Sequence, residues 1–353
     1  MNVGRFASWF SERGYPVKLA CVEGSPLSEF AKEKGLATIA IAHHRKYFDL
    51  KNASRLAKIW NAVDPDVVWI RDTRDMGIVA WTKRIAKVKP KVVYQQAMQL
   101  GVKKKDVAHT LRFKAIDVWI SPLHFLAEQV KTMTLFPSER IQVIPLALDT
   151  ERFSHLPSRE KALNLLELPT EPVYLGNVGR IDPLKGQAFL IDVLNSMKEA
   201  YPNLHLLLVG DPTKNEGDNY LKSLRAKAEG FGIADRVHLR PHRPDVETAY
   251  AAIDIFAMSS VGETFGMVTI EAMCSGKPII GTNTSGTPEL LKHGEVGALY
   301  PPDDLKMFFD QLRPLLSDEN TREVLGQKAR ASAIERFDVN SVMKRLSELD
   351  VFS

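Results

Sequence analysis

Two carboxylates eight residues apart, Glu263 and Glu271, bracket Gly266 in the stretch from Ser259 to Met273, directly after an apolar run that ends at Met258. An apolar strand followed by a glycine and a helical pattern is where an α/β sheet receives an anionic ligand. The glycine lets a phosphate or sugar approach the backbone, and the first helical N–H groups, unpaired within the helix, present about half a positive charge. With Glu263 at the helix mouth, the spacing sets Glu271 roughly 80° away around the axis. That suits holding different parts of one extended ligand better than acid–base pairing. The bland reading of Glu263 is charge complementarity to the helix dipole, worth ~0.3 to 1 kcal/mol. For Glu271 a solvated helix face fits poorly, because Ile270, Ala272 and Met273 beside it are apolar.

Cations occupy the corresponding place upstream. Arg180 and Lys185 flank a turn after the apolar run 173–178, with Gly179 and Gly186 relieving steric crowding, so both can reach the crevice at that strand's carboxyl end. In the first half, Arg71 and Asp72 directly follow the run 67–70 and point to the same kind of crevice, unless they form a plain surface ion pair. His109 lies in a helical pattern after the Lys103, Lys104, Lys105 run, where a histidine is more often structural.

Elements able to position these residues alternate regularly. Strand-like runs at 17–22, 38–42, 67–70, 92–94, 118–121 and 142–144, separated by helical patterns, predict a parallel sheet with helices on both faces. Runs at 173–178, 204–209, 237–239, 253–258, 278–281 and 298–300 repeat the scheme. Two doubly wound α/β domains follow, divided where residues 150–170 turn polar and Pro-containing.

Three ordered motifs, Gly176-Asn177-Val178-Gly179-Arg180-Ile181-Asp182-Pro183-Leu184-Lys185-Gly186, the Glu263 to Glu271 segment and Gly286-Thr287-Pro288-Glu289, resemble those of the retaining, nucleotide-sugar-dependent glycosyltransferases of group 1, or family GT4. The resemblance is most specific over residues 143–349. It implies a GT-B fold, with two Rossmann-like domains facing each other across a cleft. It further implies an acceptor-side domain at 1–150, a donor-binding domain at 151–335, and a segment 336–353 whose helix crosses back to the first domain, with Phe337 as apolar anchor and Asp338 as N-cap. By resemblance, Gly179, Arg180 and Lys185 bind the donor diphosphate, where charge develops as the sugar departs. Glu263, with the N–H groups of Phe265 and Gly266, holds the transferred sugar, and Glu271 accepts from the ribose hydroxyls. The catalytic set is then Glu263, Arg180 and Lys185. Arg71, Asp72 and His109 are the acceptor-side candidates. Residues 240–246 offer main-chain contacts to the nucleobase, and the turn at 285–289 shapes the donor pocket or simply starts a helix.

Two departures stand out. Family members often carry a histidine just after the strand 92–94, where this chain reads Gln95-Gln96-Ala97-Met98-Gln99. They also usually open with a strand and a glycine-rich turn, whereas Met1 falls within the helix that follows, so the expected first domain lacks its first strand.

Composition narrows the remaining classes. A 353-residue chain with 44% hydrophobic and 25% charged residues is an ordinary globular protein of two domains. No apolar run approaches the ~20 residues that span a bilayer, and the expected location is cytoplasmic, with peripheral membrane attachment. Cys21 and Cys274 are too few and too scattered for a disulfide framework or zinc site. Residues 1–150 carry 24 Lys and Arg against 14 Asp and Glu, and the remainder 23 against 29. The basic first half, with clusters at 83–91 and 103–105, points to an anionic surface or acceptor rather than nucleic acid, for which no motif is present. Asp64-Pro65-Asp66 precedes its strand and is not read as a metal site. No cofactor is expected, the nucleotide diphosphate-sugar being the donor substrate, and the partner is a glycan or lipid-linked acceptor. The rival readings are a GT-B-type sugar-nucleotide epimerase or glycan phosphorylase, and a degenerate, inactive nucleotide-sugar-binding protein.

Overall fold

A strand running parallel to its neighbour requires a crossover, and the helical patterns between successive apolar runs supply one each time. The computed structural model describes residues 2–213 and 218–352. Among them every ladder between strands is parallel. The chain divides into two compact units, Met1–Leu146 with Val339–Ser353, and Ala147–Asp338. Met1 itself, expected inside the first helix, and Ser353, the end of the last segment, lie outside the described residues.

Both breaks fall a few residues from the expected positions, for a visible reason. Leu148 N–H donates to the Phe337 carbonyl at 2.8 Å, and Thr150 Oγ1 donates to Asp338 Oδ2 at 2.7 Å. These contacts tie residues 147–150 and 337–338 into the second unit. Asp338 closes the long helix Glu319–Phe337 and stands directly before the last helix, Val339–Ser347, with one carboxylate oxygen accepting from Thr150.

The first unit contains β1 (Lys18–Cys21), β2 (Ala37–Ala40), β3 (Val67–Ile70), β4 (Lys91–Gln95), β5 (Val118–Ser121) and β6 (Ile141–Val143). They form two separate sheets, β1-β2 and β3-β4-β5-β6. The larger sheet packs its apolar face into a core of Val92, Tyr94, Trp119 and Ile70 with Trp60, Met76 and Phe113. The helix Asn2–Glu12 lays Phe6 and Phe10 on the Trp69 ring of β3, with centroids 5.7 and 5.8 Å away, and Phe352 completes the aromatic group. The helix Val339–Ser347 belongs to this unit and buries Val342, Met343 and Leu346. Arg345 Nη2 fastens it to the Val143 carbonyl at 2.7 Å.

The second unit contains β7 (Val173–Val178), β8 (Leu204–Val209), β9 (Val237–Arg240), β10 (Ile255–Met258), β11 (Ile279–Thr282) and β12 (Ala298–Tyr300). They form one sheet in the order β12-β11-β10-β7-β8-β9. Leu206, Leu207 and Leu208 are successive and all fully buried, as a strand covered on both faces must be.

At the amino ends of its strands this sheet carries a half-buried histidine pair. His205 Nδ1 and His238 Nε2 lie 2.9 Å apart with rings stacked at 5.1 Å, and Tyr174 meets both edge-on. Burial, reinforced by His205 and Arg240, pulls the His238 pKa down to about 4. A folded-state value depressed below the unfolded ~6.5 gives stability that is present above pH ~6.5 and lost as pH falls through about 4. Thermal melts of wild type and His238→Phe should therefore converge on acidification from pH 7 to pH 4, because the variant has no such group to charge. A pH-independent difference in Tm would remove this account.

Candidate active site

In the second sheet the chain winds outward from β7 through β8 to β9, then returns to place β10 on the other side of β7. Loops leaving the carboxyl ends of β7 and β10 diverge at such a reversal, which is where open α/β sheets bind ligands. The turn after β7 is held by Asp182, which accepts from Leu184 N–H and Thr213 Oγ1, each at 2.9 Å. Burial raises the Asp182 pKa, but these hydrogen bonds and the charges of Arg180 and Lys185 together outweigh it and the net shift is downward. Gly186 then adopts φ +70°, and a Cβ there would stand 2.3 Å from the Ser259 carbonyl oxygen. That close passage lets Ser259 Oγ donate to the Lys185 carbonyl at 2.7 Å and Ser260 Oγ to the Leu184 carbonyl at 3.1 Å.

The consequence is a direct ion pair between the two loops, with Lys185 Nζ 2.5 Å from Glu263 Oε2 and both side chains largely shielded from solvent. Arg180 is placed differently. It is exposed on the same turn, its carbonyl accepting from Gln187 Nε2 at 2.8 Å and its charge acting on Asp182.

The two carboxylates do not share a helix. The helix Met267–Cys274 begins only after Gly266, which has φ +88°, and Glu263 lies in the loop before it, so the expected angular relation between the two does not apply. Phe265 interrupts the helical path by turning its ring into the core against Phe337. The loop after β11 supports Glu263 instead: Gly286 N–H donates to its carbonyl at 3.2 Å, and Ser285 Oγ donates to the Val261 carbonyl at 3.3 Å.

Glu271 lies one turn into that helix, half-buried, and its Oε2 accepts from Tyr250 Oη at 2.8 Å. Tyr250 is wholly buried, and burial together with Glu271 raises its pKa, so it remains a donor. Neither Tyr250 nor Ser259 was singled out from sequence. The one available signal for Tyr250 was an aromatic with a hydroxyl in an otherwise apolar stretch, which needs a partner when buried.

Within residues 240–246, part of the polar capacity serves the fold. Arg240 Nε and Nη2 clamp the Leu166 and Glu167 carbonyls at 2.7 and 2.9 Å, and His242 N–H donates to Asp211 Oδ1 at 3.1 Å. Arg243 pairs with Asp245 at 2.8 Å, which holds the carboxyl down to about 2.

The remaining candidates belong to the first unit. Arg71 is partly buried, and with its amide oxygen turned toward the guanidinium Asn2 accepts from both terminal nitrogens at 3.1 and 3.2 Å. Asp72 pairs with Arg74 at 2.7 Å rather than with Arg71. His109 Nδ1 is 2.6 Å from Asp106 Oδ2, and that carboxylate also caps the helix Val107–Phe113. Asp64 ends the helix Leu50–Val63 in a left-handed conformation. Among the described residues no group of three or more His, Cys, Asp or Glu is placed to hold a metal ion.

Comparison with known proteins agrees with this architecture. Residues 158–332 match the family described as glycosyl transferases group 1, and residues 3–152 match glycosyltransferase family 4. The chain belongs to the group 1, GT4 glycosyltransferases. Among its relatives, a D-inositol 3-phosphate glycosyltransferase of Corynebacterium urealyticum is 32% identical over 216 residues, covering 60% of this chain and 50% of that one. A GDP-mannose-dependent alpha-(1-6)-phosphatidylinositol monomannoside mannosyltransferase of Mycolicibacterium smegmatis is 26% identical over 309 residues, covering 84% and 79%. The chain thus spans about half the length of the inositol-phosphate enzyme it matches. The GT-B fold is shared with the Anabaena protein HepE, solved in complex with UDP, at a TM-score of 0.86 and 21% identity over 98% of this chain and 94% of that one.

In this GT4 member the loop-to-loop approach at Gly186 is the most exacting local feature. Gly186→Ala adds both a strained left-handed residue and a backbone clash, and should destabilise the second unit by about 2 kcal/mol or more. Denaturant unfolding checks this; a loss below 0.5 kcal/mol would show that the two loops need not meet so closely.

Proposed function

We propose that the protein is a retaining glycosyltransferase that moves a sugar from a nucleotide diphosphate-sugar to an acceptor hydroxyl. The observation that carries the reading is the Lys185–Glu263 ion pair at the strand reversal between β7 and β10. It sets a cation and a carboxylate side by side: the ammonium suits a diphosphate, and the carboxylate suits the hydroxyls of the sugar attached to it. Arg180, exposed on the same turn, supplies a second charge for the diphosphate. Glu271, oriented by the Tyr250 hydroxyl, is the carboxylate proposed to accept from the ribose hydroxyls.

The reaction proposed is same-face displacement. The bond from the anomeric carbon to the diphosphate oxygen breaks, the acceptor oxygen bonds to that carbon on the same face, and the acceptor proton passes to the departing phosphate oxygen. Lys185 and Arg180 contribute most where the diphosphate gains charge, which is what makes their binding catalytic rather than uniform. With two cations there, the chemistry needs no metal ion.

Variants separate these roles. Lys185→Ala and Arg180→Ala should weaken UDP-type ligands on the order of 10-fold or more while leaving nucleoside binding nearly unchanged, since each removes a charge-assisted contact. Glu263→Gln should lower turnover more than nucleotide affinity, Glu271→Gln the reverse, and turnover should survive EDTA. Equal losses for nucleotide and nucleoside would sink the donor assignment. Conversion of the nucleotide sugar without any acceptor would favour the epimerase.

The acceptor proposed is membrane-associated, as in surface polysaccharide or glycolipid assembly, on the cytoplasmic face. Among the described residues no helix is long and apolar enough to cross a membrane. Lys103 and Lys105 are exposed, and Met98, Val102, Val107 and Leu111 beside them are exposed apolar residues. Basic and apolar side chains interleaved in one segment fit the interface of an anionic bilayer, where each Lys or Arg contributes about 1 kcal/mol within a Debye length of ~8 to 10 Å. Vesicle sedimentation should show binding to anionic lipid that falls with salt, and that drops on Lys103→Glu with Lys105→Glu while UDP affinity holds. No preference for anionic over neutral vesicles at low salt would leave a soluble acceptor.

A further inference from the structure

The first unit buries a guanidinium without giving it enough acceptors. Arg112, on the helix Val107–Phe113, is only 7% exposed, and its Nε and Nη1 atoms have no hydrogen-bond partner among the described residues. Its planar group lies 4.5 Å from the centroid of the Tyr47 ring, and Lys46 Nζ approaches the same ring at 5.2 Å. Lys104 is near enough to both for their charges to act on it: burial, then repulsion from Lys46 and Arg112, lowers its pKa. The carboxylate whose charge reaches Arg112 is Asp106, and it is already engaged by the His109 ring and the His109 N–H. Two cations therefore meet at the Tyr47 ring, with Lys104 within range of both charges and Asp106 the carboxylate that acts on Arg112.

The surrounding backbone is built to hold them there. The segment carrying Lys46 and Tyr47 is tied down by His44 Nε2 to Asp75 Oδ1 at 3.0 Å, by Arg45 N–H to Asp49 Oδ2 at 3.1 Å, and by Asn52 Nδ2 to the His43 carbonyl at 3.1 Å. Gly77 admits the Lys46 carbonyl so closely that a Cβ would stand 2.3 Å from it. Lys104 is fixed by its N–H to the Met133 carbonyl at 2.7 Å and by a bridge to Thr134. A buried guanidinium with unpartnered donors is costly unless an anion or another acceptor completes it. A guanidinium with unpartnered, buried Nε and Nη1 atoms, one lysine ammonium at the same ring and a second within range of its charge suits a tetrahedral oxyanion.

We propose that Arg112, Lys104 and Lys46 form a binding site for a phosphate group. Resting on the glycosyltransferase reading, that phosphate is carried by the acceptor, as a soluble phosphate monoester or as a lipid headgroup. Tyr47, 47% exposed, walls the site and leaves it open to a ligand larger than the ion.

The test uses the full chain with three probes: inorganic phosphate, glycerol phosphate, and phosphatidylglycerol vesicles against phosphatidylcholine controls, with UDP binding measured in parallel. Glycerol phosphate or phosphatidylglycerol should bind, and Arg112→Met and Lys104→Met should each weaken that binding on the order of 10- to 100-fold with UDP affinity unchanged. Lys104→Met keeps the test valid should the buried Arg112 variant fold poorly. Binding of glycerol phosphate that the substitutions weaken identifies a soluble phosphorylated acceptor; vesicle binding without it supports a headgroup only where Arg112→Met weakens it, since the exposed Lys103 and Lys105 are themselves expected to attract anionic vesicles. Failure of all three probes, or binding unaffected by both substitutions, overturns it. If UDP still binds in that case, the donor reading stands alone; loss of UDP binding with phosphate binding intact would remove the donor reading and keep this site.

Discussion

The turn after β7 can reach the loop after β10 only because residue 186 has no side chain. Gly186 passes against the Ser259 carbonyl, and from that approach come the two serine hydroxyls on the Lys185 and Leu184 carbonyls and, beyond them, the Lys185–Glu263 ion pair. The sheet supplies the rest of the constraint. Because strand order reverses between β7 and β10, these two loops leave adjacent strands in diverging directions and need a specific bridge to converge. Shielding on both sides strengthens that bridge: an ion pair in water is worth little, whereas one largely removed from it interacts across a lower dielectric.

Much of the fold could be read from the residues alone, because every strand is an apolar run bounded by polar turns. Runs at 67–70, 118–121, 173–178, 204–209 and 298–300 coincide with β3, β5, β7, β8 and β12, and others shift by a residue or two where edges fray. Contacts remote in sequence were not legible. Nothing in the local pattern shows that Lys185 faces Glu263 across 78 positions, or that Tyr250 donates to Glu271. The placement of Glu263 was misjudged for a related reason: Gly266 and Phe265 read as part of a helix start, but a left-handed glycine and an inward phenylalanine delay the helix to Met267. Asp338 stands directly before the last helix, as its place in the sequence suggests, but the bond its carboxylate accepts from a threonine 188 positions away could not be read locally.

Charge shows the same division between what is local and what is not. The excess of Lys and Arg in residues 1–150 is visible by counting, and the exposed Lys103 and Lys105 sit where a count would place them. Arg112 is another matter. It reads as one more surface cation, but the fold carries it under Tyr47, a residue 65 positions earlier, beside a lysine from the same early segment. Burial turns a solubilising group into one that needs a counter-ion, and only tertiary structure shows which cation has undergone that change.

The two units differ in how their sheets are closed, with consequences for cooperativity. Six strands of the second unit hydrogen-bond into one continuous ladder around a shared aliphatic core, so opening an inner strand breaks bonds to neighbours on both sides. In the first unit the ladder is interrupted: β1 and β3 each have a strand neighbour on one side only, and a small cluster around Leu19 and Ala31 forms a core of its own. Aromatic packing of Phe6 and Phe10 on Trp69, rather than main-chain bonding, links the β3 edge to the first helix. Side-chain contact resists separation less directionally than a hydrogen-bonded register does. By this division the amide hydrogens of β1-β2 are expected to exchange sooner than those of the second unit's sheet.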